Sequence, residues 1–390
     1  MQPGIRPTVL MMCITVAGTI AMQAAAGEPA PQEDVKTSLP PELARQMEEA
    51  TGRGLAYLAA TQRPDGGWEL MGQSDPAITA LATRCFIQAA AYGPEHPVVE
   101  RGVEFILRYR QPDGGIYLPD AGLPNYYTSV CLATLARLDD PKLEPVIAQA
   151  QQFLKGLQWD EQEDIDRANA WYGGAGYGRN KRPDLSNTQM MIEALRESGL
   201  PADDPTMQKA MTFVSRCQMN SASNDQAFAR GADDGGFIYT PANGGESKAG
   251  YNTVEGGQKR LRSYGSMTYA GFKSMLYADV DREDERVKAA YEWIRSYYTL
   301  TSNPNMPKAQ SKEGLYYYYH VFAKALRAWG EPTLTDAEGM THDWREELCA
   351  RLAGLQNRDG SWVNEADRWY ESNPALVTSY ALLAMQAALE

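Results

Sequence analysis

Apolar residues recur at helical spacing in 54–68 (GLAYLAATQRPDGGW), where Leu55, Leu58 and Ala59 share one face. Gln62 ends the run, and Pro64, Asp65, Gly66 and Gly67 form a turn that no helix tolerates, before Trp68. The pattern returns at 102–117 (GVEFILRYRQPDGGIY) and 352–362 (LAGLQNRDGSW). Looser copies pair 153–158 (FLKGLQ) with 172–177, and 213–218 (FVSRCQ) with 234–237. A last copy, 291–298 (YEWIRSYY), leads to Gly314-Leu315-Tyr316 and has no Gln. About six copies at intervals of roughly 45–75 residues predict a repeat architecture.

Each copy precedes a second helical pattern: 76–91, 126–138, 185–198, 264–278, 316–329 and 374–389. These are apolar nearly all round, which predicts burial. The first helix of each pair is amphipathic, with Glu48, Glu49 and Arg53 in one and Glu283, Glu285, Arg286 and Lys288 in another. The expected unit is an αα-hairpin with one outer and one inner helix. About six of them predict an all-α fold, an α6/α6 double-walled toroid, since an open stack leaves inner faces wet.

From Leu43 onward these Gln–Asp–Gly–Trp repeats resemble those of terpenoid cyclases (squalene–hopene cyclases) and protein-prenyltransferase β subunits. The resemblance implies an apolar small-molecule ligand such as an isoprenoid, but does not fix a reaction. The segment 182–188 (RPDLSNT) is similar to the Asp-x-Asp-Asp-Thr segment of squalene–hopene cyclases, whose middle Asp protonates the substrate alkene. Here the matching positions are Asp184, Ser186 and Asn187, so only the first Asp is kept. Asp184 is left as the candidate catalytic acid, or as a helix cap with Asn187 beside it. His320, in the run 314–320 (GLYYYYH), is the second candidate catalytic residue and matches one zinc ligand of the prenyltransferase β subunits. Neither Asp nor Cys occurs in 261–277, so the zinc triad is incomplete and no metal or cofactor is implied.

The remaining candidates lie at or near the starts of inner helices. Tyr126, Arg262, Tyr264, Tyr269, Tyr316, Tyr319 and Trp369 are the expected ligand-contacting residues, together with Asn187. Asp184, Arg262, Tyr264 and His320 are expected to share one cavity. Asp75 and Asn125 read as helix caps, and His96 and His342 as structural. The long loop 220–263 reads as a functional lid or as disordered.

The formal net charge of -13 and pI near 4.9 exclude nucleic acid and anionic membrane surfaces as partners. Arg6, the apolar run 8–22 and Ala24-Ala25-Ala26 read as a secretory signal peptide, 1–26, with a Pro-rich linker at 27–41 and one toroid domain at 42–390. The expectation is a secreted or periplasmic protein without stable membrane insertion. Cys85, Cys131, Cys217 and Cys349 sit in apolar helical patterns and read as free and buried. Three function classes follow: a cyclase-like or prenyltransferase-like enzyme, a non-catalytic binding or scaffold toroid, and a secreted polysaccharide lyase or hydrolase. The sequence leaves oligomeric state open.

Overall fold

The computed structural model describes residues 39–389; the expected signal peptide and most of the linker lie outside them. Six outer helices are α1 Pro41–Thr61, α3 Pro97–Leu107, α5 Glu144–Lys155, α7 Pro205–Cys217, α9 Glu285–Ser296 and α11 Trp344–Leu355. They alternate with six inner helices, α2 Pro76–Ile87, α4 Pro124–Leu135, α6 Leu185–Glu197, α8 Gly265–Tyr277, α10 Leu315–Trp329 and α12 Pro374–Leu389. Each inner helix packs on the next, and α12 packs on α2, so the ring closes. The first outer helix, α1, packs on α11 and α12. The fold is an all-α double-walled toroid.

The repeat chemistry explains the closure. Trp68 is fully buried, and its backbone N–H donates to Thr79 Oγ1 at 3.0 Å, four residues into α2. The same bond recurs from Ile116 to Thr128, Ala175 to Thr188, Phe237 to Thr268 and Trp362 to Thr378. Each Thr satisfies a buried donor that the tight turn would otherwise strand. Gln62 donates to Gly66 O and to Val98 O in the next outer helix. Gln158, Gln218 and Gln356 do likewise, and Gln356 reaches Ala50 of α1. Gly360 sits at φ 92 with its Cα against the Arg53 carbonyl, where any side chain would collide. The last turn therefore clamps the first helix.

Four two-stranded hairpins lie in the loops: β1 Trp68–Leu70 with β2 Gln73–Asp75, β3 Gln218–Asn220 with β4 Asp233–Phe237, β5 Tyr251–Thr253 with β6 Lys259–Leu261, and β7 Thr333–Thr335 with β8 Thr341–Asp343. All are antiparallel. The insertion 220–263 folds into short strands and turns. Met219, Ala232, Ile238 and Leu261 give it a small core of its own. It folds onto the start of α6, where Leu185 N donates to Tyr239 O and Thr240 Oγ1 donates to Pro183 O. Cys85, Cys131, Cys217 and Cys349 are buried, and none is paired among the described residues.

Candidate functional site: the bore of the inner ring

The six inner helices each follow a turn at the same end of the molecule, so their N-termini gather at one end of the bore. Asp75 caps α2, accepting from Ala77 N and Ile78 N, and takes a third bond of 2.6 Å from the Tyr127 hydroxyl. Asp184 caps α6, accepting from Asn187 N at 2.9 Å and from Asn187 Nδ2 at both oxygens. Glu371 arrives from the last loop and accepts from Tyr316 N, Tyr317 N and Asn364 Nδ2 at the start of α10. All three carboxyls are buried, and burial raises all three above the ordinary carboxylate range. Asp184 reaches about 6, against the pull of Asn187 and Tyr239. Glu371 reaches about 7, against the backbone donors of α10.

Tyrosines surround these carboxyls. Tyr126 lies beside Tyr380. The Tyr317 hydroxyl meets Ser186 Oγ at 3.2 Å and accepts from Gln189 Nε2 at 3.1 Å. Tyr264 is buried with Tyr317 and Asp184 as its nearest titratable neighbours, and Tyr239 from the insertion lies on Asp184. Tyr126, Ser186, Tyr317 and Met190 keep part of their surface open, so this end is a tyrosine-lined mouth.

Deeper in, the bore closes. Glu193 of α6 is ion-paired with Lys273 of α8 and Lys324 of α10, and faces Arg84 of α2 at 3.9 Å. Glu197 pairs with Arg84 at 2.8 Å and Lys324 at 2.9 Å, with Arg137 at 3.5 Å from the edge. Burial works to raise both carboxyls, but the cations outweigh it. Glu197 is held at about 2, and Glu193 is held well below its usual range. Between this floor and the mouth remains a cavity of about 30 Å³, lined by Arg84, Ser129, Gln189, Glu193, His320 and Tyr380 among others. That is room for one water-sized occupant.

The expected site residues divide into groups. Asp184, Asn187, Tyr264 and Tyr126 meet at the mouth. His320 lies deeper, its ring stacked on Tyr380 at 5.3 Å. Burial, with Lys324 adjoining, holds it neutral. Arg262 does not join them. Its guanidinium turns to the insertion and donates to Tyr251 O, because the strand just before it, β6, pairs there with β5. Tyr316 and Tyr319 meet edge to face in the wall, and Tyr319 donates to Leu300 O. Tyr269 packs against Tyr318 and Phe322 in the wall as well. Successive helix positions turn by about 100°, so of the four consecutive tyrosines only Tyr317 faces the bore. Trp369 stands on the rim, half-exposed at φ 59, with Arg368 over its ring. Asn125 is no cap. It lies inside α4 and donates to Gly176 O.

The ion cluster and Glu371 escaped the sequence reading. A signal existed: Arg84, Glu193 and Lys273 each stand eight residues after the first residue of an inner helix, and Arg84 and Lys273 are the lone charges of theirs. Among the described residues no group of His, Cys, Asp and Glu is placed to hold a metal. No helix among them is long and apolar enough to cross a membrane.

No protein-family model matches the chain. A probable squalene–hopene cyclase of Sinorhizobium fredii is 26% identical over 153 residues, 34% of this chain and 24% of the relative. The match thus spans about a quarter of that relative's length. Among solved structures, a variant of the type II terpene cyclase MstE from Scytonema, bound to geranylgeranyl dihydroxybenzoate, superposes with a TM-score of 0.54 at 13% identity. It covers 90% of this chain and 99% of that one. A D-mannose isomerase superposes at 0.55 with 12% identity, over 90% and 99%. At these identities it is the fold that is shared. The chain shares the double-walled α/α toroid fold of these proteins.

Proposed function

We propose that this protein is an exported binding toroid that takes an apolar-bodied ligand, an isoprenoid being the first candidate, in the tyrosine-lined mouth and does not cyclise it. The observation that carries this reading is the ion-paired floor. It leaves a cavity of about 30 Å³ where an enclosed ligand site takes some hundreds. A long chain has room only across the mouth, against Tyr126, Tyr317, Met190 and the Trp369 rim. The chemistry agrees. Alkene protonation needs a strong acid in a dry site. Ser186 stands where the cyclase acid would be, and Asp184, raised to about 6, is a weak acid with both oxygens held by Asn187. Tyrosine faces and hydroxyls suit an apolar body with a polar end.

Native mass spectrometry of the exported protein, followed by organic extraction, tests the reading. A retained isoprenoid recovered unchanged is the expected result, with a mature N-terminus near Gly27. A cyclised product would restore the enzyme reading. An empty protein that ignores added squalene would remove the ligand class.

One observation favours a second reading, a sugar-active enzyme. Asp184 and Glu371 titrate near 6 and 7, the range in which a general acid or base works. Turnover of any glycan that is lost in both Asp184→Asn and Glu371→Gln would replace the binding reading.

A further inference from the structure

The charges on the floor of the bore do not balance. Arg84, Lys273 and Lys324 have side chains no more than 6% exposed, and among the described residues only Glu193 and Glu197 face them. Among the described residues around the cluster, α8 adds only Tyr277, α10 adds the neutral His320, and α12 carries no charged residue. Arg137 adds a further cation from the edge of α4, and Arg196 of α6 is already paired with Asp279. The inner-helix C-termini favour cations here, but a helix dipole is a partial charge that fades within one turn. A buried cation without a counter-ion costs several kcal/mol by itself.

The donors left over converge on the cavity. Arg84 Nη1 has its nearest carboxylate oxygen at 3.9 Å. His320 Nδ1 and Gln189 Oε1 are buried and find no partner among the described residues. The Gln189 amide can turn over, accept from the Tyr317 hydroxyl and aim its NH₂ inward, so both side chains can donate.

We propose that the cavity between α2, α4, α6, α10 and α12 binds a single monatomic anion of the chloride type, held by Arg84, Gln189 and His320. The space of about 30 Å³ is enough for such an ion. The anion closes the charge account of the floor and makes the bore's blockage depend on halide. This inference is independent of the ligand in the mouth.

The test is thermal unfolding of the mature protein in sodium chloride or bromide against sodium gluconate at equal ionic strength. A crystal grown in bromide accompanies it, measured for anomalous scattering. The expected result is a saturable halide-specific rise in Tm of about 2–4 °C. An anomalous peak beside Arg84 and His320 should appear with it. Ala133→Val, which fills the cavity from α4, should abolish the rise. Equal Tm in all three salts would overturn the proposal. So would bromide-grown crystals without anomalous signal in the bore, a measurement that decides the matter even if Ala133→Val fails to fold.

Discussion

The two ends of the bore carry opposite chemistry. At the helix N-termini stand three carboxyls, Asp75, Asp184 and Glu371, one each on α2, α6 and α10. Near the C-termini stand Arg84, Lys273 and Lys324, holding two glutamates between them. Six parallel helices align their dipoles, so carboxyls are favoured at one end and cations at the other. The ends differ in how the charge is kept. At the mouth, burial raises the carboxyls and neutral donors hold them. On the floor, cations hold the carboxyls ionised. The same residue type is thus a weak, protonatable acid above and a fixed structural charge below.

The largest break in that contrast is Glu193→Gln. It removes the carboxylate shared by Lys273 and Lys324 and leaves three buried cations around one glutamate. Breaking a buried ion pair costs about 3–5 kcal/mol. Thermal denaturation should therefore show the deepest Tm loss of any single substitution considered. A loss under about 1 kcal/mol would mean that the floor is solvated.

The pH profile comes next, because the two ends respond with opposite signs. Asp184 and Glu371 have folded pKa values raised to about 6 and 7, above unfolded values near 4. They bind more protons folded than unfolded. Their stabilising contribution is full below about pH 4 and is lost as pH rises through 6 and 7, up to about 3 kcal/mol each. Glu193 and Glu197 are lowered. Their contribution is present above about pH 4 and is lost as pH falls, for Glu197 through about 2. Stability should peak between about pH 4 and 5. Glu371→Gln should flatten the neutral limb and leave the acid limb unchanged, as read by denaturant midpoints across pH. An acid limb that moved as well would show that the two ends are coupled.

The toroid was legible because its repeats are local. Gln62, the Pro64–Gly67 turn and Trp68 all lie within one hairpin and recur. The cap at Asp184 was legible for the same reason, since its partner Asn187 is three residues away. The floor was not. Glu193 meets Lys273 and Lys324 across 80 and 131 positions, and a charge on a buried helix does not name its partner. Arg262 misled because a position just before an inner helix does not set direction; pairing of β5 with β6 turned it away. Likewise, four tyrosines in a row announce that one of them faces the bore without saying which.

Tyr317→Phe sharpens the mouth. It removes the hydroxyl that meets Ser186 and Gln189 while keeping the ring. Stability should fall by about 1 kcal/mol, the worth of an ordinary hydrogen bond. Affinity for a ligand with a polar end should fall by about tenfold, measured by titration calorimetry. Affinity for a purely apolar chain should not change, and a change would mean that the ring rather than the hydroxyl sets specificity.

The smallest effect belongs to the edge of the floor. Arg137 is one-third exposed and shares Glu197 with Arg84 and Lys324 at the longest of the three separations, 3.5 Å. Solvent and salt screen such a pair, so Arg137→Gln should cost well under 1 kcal/mol, and less still at high salt. It removes one of the excess cations, which offsets part of that loss. Glu193, a little over one helical turn from Glu197, should show no comparable salt dependence. The ratio of the two losses therefore measures how steeply the bore dries over that distance. If Arg137→Gln cost as much as Glu193→Gln, the dry boundary would lie outside Arg137, and the floor would extend to the surface of the ring.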